Sequence, residues 1–221
     1  MNHRGPARWA EPAGRPYNGW EMRSRPLQES EDAGRGGPTS SVLPIEIRVY
    51  PDVCLRARCR PVKVFDGALG DLVARMLALM HTGRGVGLAG PQVGADLRLF
   101  VCNPTGGPQD DHVYINPELS DLTSSEEAEE GCLSIPDVRV NVRRAKRCRI
   151  KAFDATGQVI EAEADGLLAR IWQHETDHLD GHLIIDRMNG TDQIANKKLL
   201  ASSKRITTNA RCGRSPHRSE K

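Results

Sequence analysis

His174 and His178, four residues apart with Glu175 beside the first, constrain this chain more than any other feature in it. They stand in Gln173-His174-Glu175-Thr176-Asp177-His178-Leu179-Asp180-Gly181, after the apolar run Leu167, Leu168, Ala169, Ile171, Trp172. That run predicts a buried helix, on which positions four apart share a face. Both imidazoles then point the same way and can grip one divalent metal, while Glu175 can reach a water there to move its proton. A surface helix with its histidines and acids facing solvent would read the same over this stretch, so the rest of the chain has to decide.

Upstream, 66–80 carries Leu69, Leu72, Val73, Met76, Leu77 and Met80, the stripe of an amphipathic core helix. The stretch Gly83-Arg84-Gly85-Val86-Gly87-Leu88-Ala89-Gly90-Pro91-Gln92-Val93-Gly94 is glycine-dense. No strand precedes it and a proline stands where a helix should open, which argues against a phosphate-cradling loop. Glycines there instead let the backbone come close to a ligand. Residues 97–102 and 112–115 read as strands, with Asn116-Pro117 ending the second. Residues 147–153 and 159–164 read as a hairpin closed at Asp154-Ala155-Thr156-Gly157. Between these pairs the acidic run Ser124-Ser125-Glu126-Glu127-Ala128-Glu129-Glu130 gives way to Gly131-Cys132-Leu133-Ser134-Ile135-Pro136.

The two ends differ from this middle. Residues 1–41 are rich in Arg, Gly, Pro, Ser and Glu and nearly free of aliphatics, the composition of a disordered leader, and Met22 is an alternative start. Its acids, Glu11, Glu21, Glu29, Glu31 and Asp32, argue against an organelle transit peptide. Residues 204–221 read as a basic, disordered tail. The 221 residues between these limits and including them suit one domain plus appendages. A formal charge of +2 gives no case for nucleic acid as the partner. With no apolar signal segment and no run of membrane-spanning length, no membrane role is expected, and Cys54, Cys59, Cys102, Cys132, Cys148 and Cys212 are expected to be reduced thiols in a cytoplasm.

Two histidines need a third ligand. A third histidine three residues beyond Gly181 would mark an extended zinc-protease pattern, but position 184 is Ile. Glu220, in the ragged tail, is a poor donor for a later-helix glutamate. Cys132 is the better candidate, since it sits between a glycine and a leucine and its thiolate suits iron(II), cobalt or zinc. Its plainer reading is a small buried hydrophobe.

Gly85-Val86-Gly87-Leu88-Ala89-Gly90-Pro91-Gln92, then Glu130-Gly131-Cys132-Leu133-Ser134, then Gln173-His174-Glu175-Thr176-Asp177-His178 resemble, in order and spacing, the three motifs of the peptide deformylases. The resemblance runs from about Val42 to about Leu200, so 42–203 is expected to be the catalytic domain. It implies an α+β fold, a compact single domain whose central HExxH-bearing helix packs against antiparallel strands. It implies Cys132, His174 and His178 as ligands of one divalent metal, with iron(II) first and zinc, nickel or cobalt as alternatives. Glu175 is implied as general base and acid, and the Gln92 amide and the Leu133 N–H as oxyanion donors. Gly87 is the implied backbone edge beside the substrate, Val86, Leu167 and Ile171 the implied methionine pocket, and Arg139 an implied arginine at its mouth. The implied reaction removes formyl from newly made formyl-methionyl polypeptides, releasing formate, with the ribosome near its exit tunnel as a possible partner.

Two departures stand out. Gly90 replaces the family's usual alanine, an exchange expected to loosen the loop that carries Gln92, and Cys54 replaces a common proline after Tyr50-Pro51-Asp52. Two rival readings are a metallo-endopeptidase, which would accept chain on both sides of the scissile bond, and a non-catalytic relative, which would have lost Glu175 or a ligand.

Overall fold

Two long strands carry the architecture of this chain, seen in a computed structural model that describes residues 45–211, with side chains through 202. The expected leader at 1–41 and the segment 212–221 lie outside the described residues. In chain order the elements are α1 (Gly67–Thr82), β1 (Gly87–Ala89), β2 (Leu99–Cys102), β3 (His112–Cys132), β4 (Ile135–Phe153), β5 (Val159–Asp165), α2 (Gly166–Leu179), α3 (Ile184–Arg187) and α4 (Gly190–Arg211). The strands form one antiparallel sheet in sequence order. Helices and sheet together make a single α+β domain, as expected from the resemblance.

α1 begins where Asp66 accepts a hydrogen bond from the Leu69 N–H at 3.0 Å, an N-cap that satisfies one orphan donor of the first turn. Its stripe Leu69, Val73, Met76 and Met80 is buried against Leu88, Leu99, Val101 and Ile115 of the sheet. α2 closes the opposite side, with Trp172 and Ala169 packed on Phe100, Tyr114 and Ile150. A third cluster joins Val138, Val140 and Val142 of β4 to Leu55, Leu183 and Ile184. Burial of such side chains stabilises by about 1.5–3 kcal/mol each, which suffices for a core with few aromatics.

One expectation needs correcting. β3 does not end at Asn116-Pro117. Asn116 takes a left-handed φ of 52° and its side chain bonds both backbone groups of Val62. The pair forms a bulge, and pairing with β4 resumes at Glu118↔Lys151. The acidic run 124–130 lies within β3, opposite a basic stretch of β4, with Glu126 facing Arg144 and Glu127 facing Arg143. The last described element, α4, runs from Gly190 to Arg211. Its N-terminal part is tied to β4, with Asp192 accepting from the Asn141 N–H at 2.7 Å and Asn196 donating to the Arg139 carbonyl at 3.4 Å.

The side chain of Gln173 fixes α2 on the sheet. It accepts from the Ala145 N–H at 2.9 Å and donates to the Ala145 carbonyl at 2.8 Å, extending the pairing of β4 onto the helix one residue before His174. Among the described residues no helix is long and apolar enough to cross a membrane.

Candidate active site

His174, Glu175 and His178 leave α2 toward the place where β3 turns into β4. Cys132, the last residue of β3, and Leu133-Ser134 of the turn stand opposite. The donor atoms of Cys132, His174 and His178 all lie within 4.8 Å of one another, with Cys132 Sγ 3.2 Å from His178 Nε2. The two imidazoles, their centroids 5.0 Å apart, meet edge to face. One cysteine sulfur and two imidazoles so close together are the donor types that would hold iron(II), zinc or a similar ion.

The protonation states fit that use. Burial, then the positive charges of His174 and Arg144, hold His178 well below the ordinary imidazole range, so its imidazole is neutral. Burial alone would push His174 the same way. Hydrogen bonds with Cys132 and Glu130 outweigh it, and His174 keeps a proton that a metal would displace. His174 turns Nδ1 to Glu130 Oε2 at 3.0 Å, which leaves Nε2 for a metal.

Glu130 is the hub of a buried ion network. Arg144 donates to both its oxygens, at 2.8 and 3.0 Å, and to Asp177 at 2.6 Å, and Arg187 reaches Asp177 from the far side. Burial opposes ionisation of Glu130. The hydrogen bonds from His174 and Arg144 and the Arg144 charge overcome it and hold the carboxyl well below the usual carboxylate range.

Glu175 is placed differently. It is 3 % exposed, Oε2 has no partner among the described residues, and burial pushes its carboxyl up to about 7 against the pull of His174 and Arg144. A carboxyl with a pKa near neutrality is suited to take and return a proton. It lies against Gly87, where a Cβ would stand 2.3 Å from its Oε1.

Gln92 comes from a 3-10 turn at Gly90–Val93. The Ala89 N–H holds its Oε1 at 2.8 Å, which turns the amide NH2 toward Ser134 Oγ at 3.2 Å and Cys132 Sγ at 3.5 Å. Gly90, expected to loosen this loop, sits where the fold leaves no room for a side chain. A Cβ there would lie 2.5 Å from the Leu97 carbonyl, so its absence lets the backbone entering β2 close on the turn. Cys54 donates to the Pro91 carbonyl at 3.5 Å and supports the same turn.

One cavity of about 610 Å³ gathers most of the residues singled out in the sequence: Val86, Gly87, Gln92, Cys132, Leu133, Arg139, Leu167, Ile171, His174 and Glu175. His178 stands behind this wall, 1 % exposed. The Arg139 guanidinium lies over Gly131, its cross-strand partner. Arg144, Asp177, Ser134 and Arg170 were not singled out. For Arg144 a signal existed: Val138, Val140 and Val142 set an inward alternation that Arg144 continues, and an arginine at a core position needs a buried acid.

Comparison with known proteins follows the same lines. The polypeptide deformylase family model matches residues 44–193. The peptide deformylase of Thermotoga maritima is 43% identical over 155 residues, 70% of this chain and 93% of that one. A crystal structure of a peptide deformylase from Legionella pneumophila superposes with a TM-score of 0.69 at 37% identity, covering 78% of this chain and 99% of that one. A mutant of Arabidopsis thaliana peptide deformylase 1B superposes with a TM-score of 0.74 at 35% identity, covering 79% and 97%. Matched over nearly the whole length of these relatives in sequence and in fold, the chain belongs to the polypeptide deformylase family.

Proposed function

We propose that the cavity beside Cys132, His174 and His178 carries out the family's reaction with Glu175 as its proton carrier. As a peptide deformylase the chain is a hydrolase that removes the formyl group from the N-terminal formyl-methionine of newly made polypeptides, releasing formate. The observation that carries the residue assignment is the meeting of three metal-ligand atoms within 4.8 Å and a buried glutamate at one cavity.

Cys132, His174 and His178 would hold a divalent metal, whose Lewis acidity would bring the pKa of water from ~15.7 toward ~7. Glu175 takes the proton of the attacking water and returns it to the departing amine. As negative charge grows on the formyl oxygen, the Gln92 NH2, already oriented by Ala89, and the Leu133 N–H donate to it. One such donor is worth roughly 3–4 kcal/mol. The bare backbone at Gly87 forms the edge along which the peptide lies, Val86, Leu167 and Ile171 receive the methionine side chain, and Arg139 stands at the mouth. Among the metals this donor set accepts, iron(II) is the proposed native ion, with zinc, nickel or cobalt as substitutes. The proposed catalytic unit is 42–203, the proposed compartment the cytoplasm, and the proposed encounter with substrate takes place near the ribosomal exit tunnel.

The test is formate release from a formyl-Met peptide by protein purified without air, with bound metal quantified. Turnover that scales with metal content supports the reading. A stoichiometrically metallated protein that releases no formate refutes it.

A further inference from the structure

The glycine-rich wall of the cavity, residues 83–87, is held by a cluster that stands outside the three motifs. Only Gly87 of this stretch lies in a strand, paired with Cys102 of β2. Arg84 takes a left-handed φ of 53°, a conformation that an arginine keeps only where its surroundings impose it. Ties at both ends of the stretch do so. On one side the Arg84 and Gly85 N–H groups donate to the His81 and Met80 carbonyls at 3.0 and 2.9 Å, continuing the end of α1. On the other the Asn103 N–H donates to the Val86 carbonyl at 2.9 Å, one rung beyond the β1–β2 ladder. Asp111 joins these two anchors. Its Oδ1 accepts from His81 Nε2 and from Asn103 Nδ2, each at 2.8 Å. Asn103 is 2% exposed and engaged at both ends of its amide, since Nδ2 also donates to the Gly107 carbonyl at 2.8 Å and Oδ1 accepts from the Gly106 N–H at 2.6 Å. The last turn of α1, the loop between β2 and β3 and the cavity wall thus form one hydrogen-bonded unit with a single carboxylate at its joint.

We propose that Asp111 is a positioning residue of the deformylation site: by joining His81 to Asn103 it sets the 83–86 backbone in the place where the peptide beyond the first residue lies on it. The inference rests on the deformylase reading above. An extended peptide binds a backbone edge through main-chain hydrogen bonds, whose lengths fall in a window of about 0.5 Å, so the edge has to be held to that precision. Without Asp111 the buried Asn103 amide lacks one acceptor and the end of α1 is no longer joined to the β2–β3 loop. The stretch between the two anchors then shifts, while Gly87, held by its pairing with β2, stays beside Glu175. The cost therefore falls on binding of the chain that follows formyl-Met rather than on bond cleavage. Geometry and not ion-pair energy is what Asp111 contributes, because the His81 and Asp111 side chains are 43% and 31% exposed, and pairs so exposed are worth little in themselves.

The test compares wild type, Asp111→Ala, Asp111→Asn and His81→Ala on formyl-Met amide and on the longer formyl-Met-Ala-Ser amide. The readout is the ratio of kcat/KM, long over short, on one preparation, from which the fraction of active or metallated enzyme cancels, with each value split into kcat and KM. Wild type should favour the longer peptide. Asp111→Ala and His81→Ala should each lower the ratio at least ~5-fold, the scale of one main-chain hydrogen bond, through a raised KM for the longer peptide with its kcat little changed. Asp111→Asn keeps an oxygen that accepts from both neighbours and should restore the ratio to near the wild-type value. A loss of stability alone would lower both substrates alike and leave the ratio where it was. An unchanged ratio in Asp111→Ala overturns the proposal, and if that variant does not fold, an unchanged ratio in His81→Ala overturns it. So does an Asp111→Asn ratio as low as that of Asp111→Ala, or a wild type that takes both peptides equally well. A wild type that releases formate from neither refutes the deformylase reading itself, a separate outcome.

Discussion

Gly87 and Glu175 are built for each other: a Cβ at Gly87 would stand 2.3 Å from Glu175 Oε1 and 2.8 Å from its Cδ, so the carboxyl rests on bare backbone. Gly87→Ala must therefore push Glu175 aside or bend β1. A displacement of about 1 Å in a catalytic group costs roughly 10²-fold. Steady-state kinetics on a folded, metallated Gly87→Ala protein should show kcat/KM down by at least that factor, with a circular dichroism spectrum like that of wild type.

The Glu130–Arg144 pair is buried on both sides, with side chains 5% exposed. Arg144→Met leaves Glu130 and Asp177 without their shared cation, and breaking a buried pair typically costs about 3–5 kcal/mol. Urea denaturation should place the variant that far below wild type. A loss under about 1 kcal/mol would show that Arg170 and Arg187 replace Arg144 unaided.

Stability should also depend on pH through Glu175. Its carboxyl is raised from 4.5 to about 7 by burial, so the folded protein binds this proton more tightly than the unfolded chain. The penalty for ionising it is absent below the unfolded value, grows between the two and is complete above the folded value. In metal-free protein Glu175→Gln should therefore be more stable than wild type near pH 8, by up to about 3 kcal/mol. The difference should close as pH falls toward 4.5. Thermal melts of both metal-free proteins across this range check the sign.

Cys132→Ala removes the one thiolate of the cluster and should abolish tight metal binding, measured as metal per protein after dialysis. The same loading as wild type would assign the third ligand elsewhere.

Much of the fold was legible where the deciding forces are local. The stripe Leu69, Val73, Met76, Met80 with Asp66 before it announces α1, and Asp154, whose Oδ1 caps the N–H groups of Thr156 and Gln158, announces the β4–β5 turn. The extent of β3 was not legible, because what carries it past Asn116-Pro117 and through six acidic side chains is pairing with β4 and its arginines. The site divides the same way. The proposed ligands and Glu175 stand in contiguous motifs, whereas Arg144 acts on Glu130 across a hairpin and Arg170 reaches it from another element. Gly90 shows the limit of reading one residue from a family's habit. Its effect depends on a carbonyl seven positions away in the chain that the fold brings to 2.5 Å from where a Cβ would stand.

The assignment of Glu175 as proton carrier is tested most directly by the kinetics of Glu175→Gln with its metal content measured. Glutamine keeps the size and hydrogen bonding of the side chain but cannot take a proton, and the proposed ligands Cys132, His174 and His178 are untouched. General acid–base groups contribute ~10²–10⁴-fold, and a group acting in both attack and departure belongs at the upper end. The variant should hold its metal and lose kcat to that extent with KM little changed, since Gly87, Gln92 and the apolar wall still receive the peptide. Near-wild-type turnover by a fully metallated Glu175→Gln protein would contradict it.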